Sequence, residues 1–303
     1  MEPVRFAAAG RHAAEQAELP GGAFLMGDSR GDGNPGDGET PVHRVVVRPF
    51  SIDATCVTTA DFAAFAEATG YRTEAELYGF SAVFHLALSA RPQDVMRPVP
   101  GAPWWVGVRG ADWRHPGGVL SEAEPDHPVV HVSWNDATAY CSWAGRRLPT
   151  EAEWEYASRG GLEGARYPWG DELPRDEWRV NIWQGDFPSR NTLEDGHLTT
   201  APVRAFAPNA YGLRQTVGNV WEWCADWYAP DYYARSPEED PRGPRRGTAR
   251  VLRGGSFLCH DSYCNRYRNS ARSANTPGSS MANAGFRTAR DRAPSPEPGS
   301  RIR

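Results

Sequence analysis

Residues 251–287 read VLRGGSFLCHDSYCNRYRNSARSANTPGSSMANAGFR. The stretch holds two of the chain's five cysteines, Cys259 and Cys264, with four residues between them. A helix would turn residues five apart toward different sides, so convergence of both sulfurs requires a loop or a bent strand. Gly254-Gly255 before the pair and Asn275-Thr276-Pro277-Gly278 after it suit such irregular backbone. Ser256, His260, Tyr263, Asn265, Arg266, Tyr267 and Arg272 surround the pair with polar and aromatic groups. Two thiols this close can be inert, form a disulfide, shuttle electrons or hold a soft metal such as Cu(I). Structural zinc is disfavoured, because its ligands are spaced more tightly and need a second pair. Spacing alone leaves a redox pair and a Cu(I) site level.

The rest of the composition narrows the setting. A chain of 303 residues can bury a large core in one or two domains. The net charge of −5 is mild, and all 33 basic residues are Arg, scattered rather than run together. That pattern argues against a nucleic-acid partner. Twelve Trp, 31 Gly and 26 Pro imply irregular backbone pinned by large aromatics rather than a helical bundle. No apolar run reaches membrane-spanning length, so no membrane partner is expected. Residues 1–16 lack the basic start and apolar core of a signal peptide. The expected location is the cytoplasm, where disulfides are rare. Five Cys is an odd number, which leaves at least one unpaired. Both points favour free thiols or a metal at Cys259 and Cys264.

Along the chain, residues 1–18 read as a loose or helical arm, 19–288 as a single domain of mixed α and β, and 289–303 as a disordered tail rich in Pro, Ser and Arg. Residues 19–27 read as a short strand between glycines, 28–40 as a Gly/Asp loop and 42–53 as a strand bent at Pro49. Residues 58–70 are expected to be helical: Thr58 and Asp61 form the cap, Phe62, Phe65 and Ala66 the apolar face, and Gly70 the stop. Residues 74–128 read as a loop-rich region carrying Trp104-Trp105 and Trp113. Residues 129–132 read as a strand and 135–144 as a helix ended by Gly145. A helix over 150–158 opens on the capping box Thr150-Glu151-Ala152-Glu153.

Other constellations are weaker. Asn181-Ile182-Trp183 with Asp195-Gly196, and Gly218-Asn219-Val220-Trp221-Glu222-Trp223, are oxygen-rich turns able to bind Ca²⁺, although Asp-Gly is ordinarily only a turn. There is no His-Glu-x-x-His pair, phosphate loop or nucleophile elbow, so hydrolases and nucleotide enzymes gain no support. Lone His85 and His131, and Cys56, Cys141 and Cys224, read as structural.

The run from Arg147 to Tyr156 (RLPTEAEWEY), the turn Gly218-Asn219-Val220-Trp221-Glu222-Trp223 and the ending Gly285-Phe286-Arg287 resemble the sulfatase-modifying-factor superfamily. That superfamily also contains ergothioneine-pathway sulfoxide synthases, whose separate helical iron-binding domain has no counterpart in this chain. Residues 254–283, His131-Val132-Ser133-Trp134-Asn135-Asp136-Ala137, Asn181-Ile182-Trp183-Gln184-Gly185 and Ala102-Pro103-Trp104-Trp105 are similar to the formylglycine-generating enzyme family.

The resemblance implies an α+β fold: one irregular domain, a variant of the C-type lectin fold with little regular secondary structure. It implies an oxidase that uses O₂ to convert the Cys of a Cys-x-Pro-x-Arg segment in a sulfatase into Cα-formylglycine. Cys259 and Cys264 match the pair that holds Cu(I), a metal the soft-ligand argument also favours. Ser256, Tyr263 and Trp221 would line the oxygen and substrate pocket as catalytic residues. Arg272, Ser280, Asn283 and Trp104 would bind substrate. Asn181, Ile182, Asp195 and His197 match one structural Ca²⁺ site, and Gln215, Gly218, Val220 and Glu222 the other. The expected partners are an unfolded or nascent sulfatase peptide, O₂ and a thiol reductant, with the protein monomeric.

Some positions depart from the family pattern. Gln215 stands where the second calcium site usually has Asn, and Gly278 replaces a usual Asp. Ser158, Asn269 and Thr288 occupy positions that hold disulfide cysteines in secreted animal relatives, so Cys141 lacks its partner. The competing reading is a non-catalytic or thiol-redox member that keeps the fold as a binding module.

Overall fold

The structure, a computed structural model, describes residues 12, 14–173 and 177–292. In chain order the elements begin with β1 (Gln16–Leu19), β2 (Gly22–Met26), β3 (His43–Val47), β4 (Phe50–Asp53), α1 (Thr59–Thr69) and α2 (Glu74–Tyr78). Next come β5 (Phe80–Phe84), β6 (Val95–Val99), β7 (Ala102–Arg109), α3 (Trp134–Ala144) and α4 (Glu151–Arg159). The C-terminal third contains β8 (Gly185–Asp186), β9 (Arg190–Asn191), β10 (Trp221–Trp227), β11 (Arg250–Arg253), β12 (Arg272–Asn275), β13 (Ala284–Gly285) and β14 (Ala289–Asp291).

The same device starts all four α-helices. Thr58, Thr73, Ser133 and Thr150 each accept from the backbone N–H three residues on, while Asp61, Glu76, Asp136 and Glu153 accept from the cap's own N–H. Each such cap contributes about 1 kcal/mol. Each helix stops at a glycine in the left-handed region: Gly70, Gly79, Gly145 and Gly160.

The strands form small separate sheets. β12, β11, β10 and β13 make the largest, in that order, with β13 parallel to β10. β5, β7 and β6 make a second, and β1, β4 and β14 a third that joins the two ends of the described chain. This third sheet corrects the expected boundaries. Gln16–Leu19 and Ala289–Asp291 are paired strands, not arm and tail, because β4 offers a free edge on either side. Residues 1–11, 13 and 293–303 lie outside the described residues.

Three further expectations change. Residues 42–53 form two strands in different sheets, separated at Arg48-Pro49. Residues 129–132 are buried but lie in no strand; His131 has φ 57°. Residues 74–128 carry α2 and the whole β5–β7–β6 sheet.

Large aromatics fill the main core: Phe62, Phe65, Tyr140 and Trp143 pack edge-on or tilted around one another, except that Phe62 and Tyr140 are stacked. Buried ion pairs tie the small sheets together. Glu151 holds both Arg253 and Arg272, Glu155 holds Arg159 and Arg253, Glu222 holds Arg287, and Glu39 holds Arg268. Arg268, Arg272 and Arg287 each bind both oxygens of their carboxylate, a contact that lysine cannot make. Among the described residues all five cysteines are free. Ser158 donates to Asn269 at 2.8 Å, so these two positions face each other through a hydrogen bond.

Candidate functional site

β11 ends at Arg253, and Gly254 (φ 92°) and Gly255 (φ 73°) turn the chain out of the sheet. A side chain at Gly255 would strike the Arg266 carbonyl and the Cys259 sulfur, so the backbone passes close behind the thiol. The Ser256 carbonyl then accepts from Cys259 N at 2.9 Å, and the His260 carbonyl accepts from both Tyr263 N and Cys264 N at 2.9 Å. These two turns bring the thiols face to face. Their sulfurs are 2.6 Å apart and joined by a hydrogen bond, at 2% and 4% residue exposure.

The pair sits in the wall of a cleft of about 160 Å³. Trp221, Ser256, Tyr263, Trp105, Met281 and Asn283 also line it. β10 supplies Trp221, whose N–H donates to the Asn283 carbonyl at 2.8 Å. Asn283 donates from Nδ2 to Ser256 Oγ at 2.8 Å, and its own Oδ1 is buried without a partner. Tyr263 is 41% exposed at the mouth, stacked on Phe187 at 4.2 Å between centroids and edge-on to Trp104 at 5.0 Å.

The two thiols differ electrostatically. Burial pushes Cys259 well up. Hydrogen bonding with Cys259 lowers Cys264, and the Arg266 guanidinium adds to this. Asp37 holds that guanidinium at 2.6 and 3.0 Å.

Of the residues expected at the site, Cys259, Cys264, Ser256, Tyr263, Trp221 and Asn283 come together. Arg272 does not. It is fully buried behind the sheet, bidentate to Glu151 with both bonds at 2.8 Å, and cannot reach a substrate. Trp104 buttresses Tyr263, while its neighbour Trp105 points into the cleft. Ser280 bonds Ser81 at 2.8 Å beside the cleft wall formed by Met281. Sequence reading missed Trp105 and Met281 as lining residues, and named Arg266 beside the pair without a role in the cleft. Strand alternation at Trp104-Trp105 was the available signal, but only the register of β7 says which indole faces the cleft.

The two oxygen-rich turns differ. Asn181 is fully buried and its Oδ1 has no partner. Asp195 accepts from Ile182 N at 3.1 Å and His197 N at 2.9 Å, and burial raises its carboxyl. The Gln184 amide nitrogen donates both to Asp195, at 2.7 Å, and to the Ile182 carbonyl, so it stands between oxygens that a cation would otherwise share. This donor set fits Ca²⁺. The second set does not. Both Glu222 oxygens are committed to Arg287, at 2.6 and 2.7 Å, and Trp154 donates to one of them at 2.8 Å. Gln215 turns its amide nitrogen to the Pro202 carbonyl at 2.7 Å. A guanidinium already neutralises the carboxylate that Gln215, Gly218 and Val220 would have supplemented.

Comparison with known proteins agrees with this geometry. The profile of the Sulfatase-modifying factor enzyme 1-like domain matches residues 4–292. The formylglycine-generating enzyme of Streptomyces coelicolor is 66% identical over 91% of this chain and 89% of its own length. The inactive C-alpha-formylglycine-generating enzyme 2 of Mus musculus is 46% identical over 92% and 87%. Among solved structures, PvdO from Pseudomonas aeruginosa superimposes with a TM-score of 0.67 at 25% identity, covering 92% of this chain and 94% of that one. The fold is thus the irregular C-type-lectin-like variant expected from the sequence. No helix among the described residues is long and apolar enough to cross a membrane. The match along nearly the whole chain and the 66% identity show that the chain belongs to the sulfatase-modifying-factor family of formylglycine-generating enzymes.

Proposed function

We propose that this chain is an aerobic oxidase that converts the cysteine of a Cys-x-Pro-x-Arg segment in a sulfatase into Cα-formylglycine. One observation carries the reading: two free thiols meet in the wall of an open cleft lined by indoles, a phenol and a hydroxyl. Family membership alone is insufficient support, since the mouse relative is named inactive.

Cys259 and Cys264 would hold Cu(I), for which buried thiolates are suited donors. The metal would supply binding of the client thiolate and activation of O₂. The chain's own groups do the positioning. Ser256 Oγ already accepts from Asn283 and from Leu258 N, so its hydroxyl proton is free to donate into the cleft. Trp105 and Trp221 offer flat apolar walls to the client proline. The overall balance is one cysteine, one O₂ and two reductant thiols giving one formylglycine, hydrogen sulfide, water and one disulfide.

Ca²⁺ at Asn181, Ile182, Asp195 and His197 would be structural. The partners in this reading are an unfolded or nascent sulfatase peptide, O₂ and a thiol reductant, and the protein acts as a cytoplasmic monomer. The five free cysteines support a reducing setting.

The test is a peptide containing Leu-Cys-Thr-Pro-Ser-Arg, offered with O₂, Cu(I) and a thiol. Mass spectrometry should find an aldehyde trapped by hydrazine reagents, and a Pro→Ala peptide should react far more slowly. Cys264→Ser should lose turnover and keep the fold. Absence of aldehyde from the parent peptide would overturn the oxidase reading in favour of the binding module.

A further inference from the structure

The core cluster that contains Cys259 and Cys264 also contains Tyr267 and Tyr167, with Trp169 packed against it, and the three rings form a stacked row. Tyr267 stacks on Tyr167 with 5.9 Å between centroids and 2° between planes. Tyr167 stacks on Trp169 at 5.3 Å and 16°. The two tyrosines are buried, whereas Trp169 is partly exposed, its indole N–H donating to the Glu172 carbonyl at 2.9 Å. The inner hydroxyl, on Tyr267, donates to the Asp261 carboxylate.

Packing alone would be served equally by phenylalanine. Two features go further. Every ring in the row can lose an electron. The innermost ring also has a carboxylate in contact with its phenol proton, and a phenol that loses an electron becomes strongly acidic and needs such an acceptor. The other aromatic group beside the cleft runs differently: Tyr263 meets Trp104 edge-on and stacks on Phe187, and its phenol lies at the exposed mouth.

The oxidase reading creates a need for such a row. The client supplies two of the four electrons that reduce O₂ to water, and two must come from outside. A seated client covers the cleft mouth, and the sulfurs are already buried beneath it. We propose that Tyr267, Tyr167 and Trp169 conduct single electrons from the surface to the dithiol centre, with Asp261 as the proton acceptor of Tyr267. This rests on the oxidase reading for its purpose but not for its measurement. In each passage one electron moves from Tyr267 to the oxidised centre, one from Tyr167 to Tyr267, and one from Trp169 to Tyr167. The phenol proton of Tyr267 goes to Asp261 and that of Tyr167 to solvent, and each returns when its ring is refilled. At the surface a low-molecular-weight thiol refills Trp169. Two such thiols give up two electrons and two protons and leave as one disulfide.

The experiment uses the full chain without copper or client. Glu172→Cys places an exposed thiol beside Trp169, and the native cysteines are buried, so a ruthenium(II) polypyridyl label attaches there. A flash with a cobalt(III) ammine as irreversible acceptor makes ruthenium(III), which takes one electron from Trp169. Transient absorption and electron paramagnetic resonance should then show an indole radical replaced by a neutral tyrosyl radical. Tyr267→Phe should cut the tyrosyl yield, and Tyr167→Phe should slow its appearance, each by about tenfold or more. Both keep a ring in the stack, and circular dichroism checks each fold; should one fail, the other decides. Equal yield and rate in the folded variants would overturn the proposal. A failed client assay would sink the oxidase reading and leave this result unaffected.

Discussion

Gly255→Ala tests whether the backbone behind Cys259 sets the thiol geometry. The residue has φ 73°, a region where a side chain costs roughly 1–2 kcal/mol. The new Cβ would also lie 2.6 Å from the Arg266 carbonyl oxygen, 2.9 Å from its carbon and 3.0 Å from the Cys259 sulfur. A main-chain carbonyl cannot rotate away, so the strain falls on the turn and on the sulfur. Overpacking of this kind costs about 1–3 kcal/mol more, for a total of about 2–5 kcal/mol. Gly145→Ala is the matched control: its φ is 66° and a Cβ there meets open space. Urea midpoints at constant m should separate the two by about 1–3 kcal/mol. Cu(I) competition against a chromophoric chelator should weaken for Gly255→Ala alone, because relief requires the Cys259 sulfur to move from Cys264. Equal destabilisation of the two variants, with unchanged Cu(I) competition, would refute the reasoning.

The other predictions concern charge and metal. Asp226 is fully buried, and burial foremost, then Glu151, raises its carboxyl from 3.8 to about 8. A group raised on folding contributes stability below its unfolded value and loses it as pH climbs through the folded one. Asp226→Asn should therefore remove a decline between about pH 4 and pH 8, read as urea midpoint against pH; an unchanged slope would contradict it. Glu222→Gln leaves Arg287 buried against a neutral amide and should cost about 3–5 kcal/mol in urea unfolding, and a loss under 1 kcal/mol would mean the pair is not held as seen. Calcium at about a hundred times its dissociation constant should add about 2.7 kcal/mol and raise the melting temperature. Asp195→Ala should abolish that response, and a parent melting curve indifferent to calcium and chelator would remove the assignment.

Local chemistry made much of this legible. The caps at Thr58 and Thr150 and the stops at Gly70 and Gly145 were readable, because a cap involves residues three apart. Thr73 and Glu76 form the same box before α2, yet that helix is only five residues long and its apolar pattern too short to stand out. The strands of residues 80–109 were hidden for a related reason. Phe80, Met96 and Val99 remain exposed, so inside and outside do not alternate as in a half-buried sheet.

At the site, the sequence by itself determined that Cys259 and Cys264 could converge only in a loop or a bent strand, which the flanking glycines allow. Only the tertiary structure decided which neighbours join them. Arg272 and Glu222 look like site residues in one dimension. In three, each is paired with a residue more than sixty positions away: Arg272 with Glu151, Glu222 with Arg287. A buried charge goes to its nearest countercharge, and sequence does not show which segments the fold brings within 3 Å.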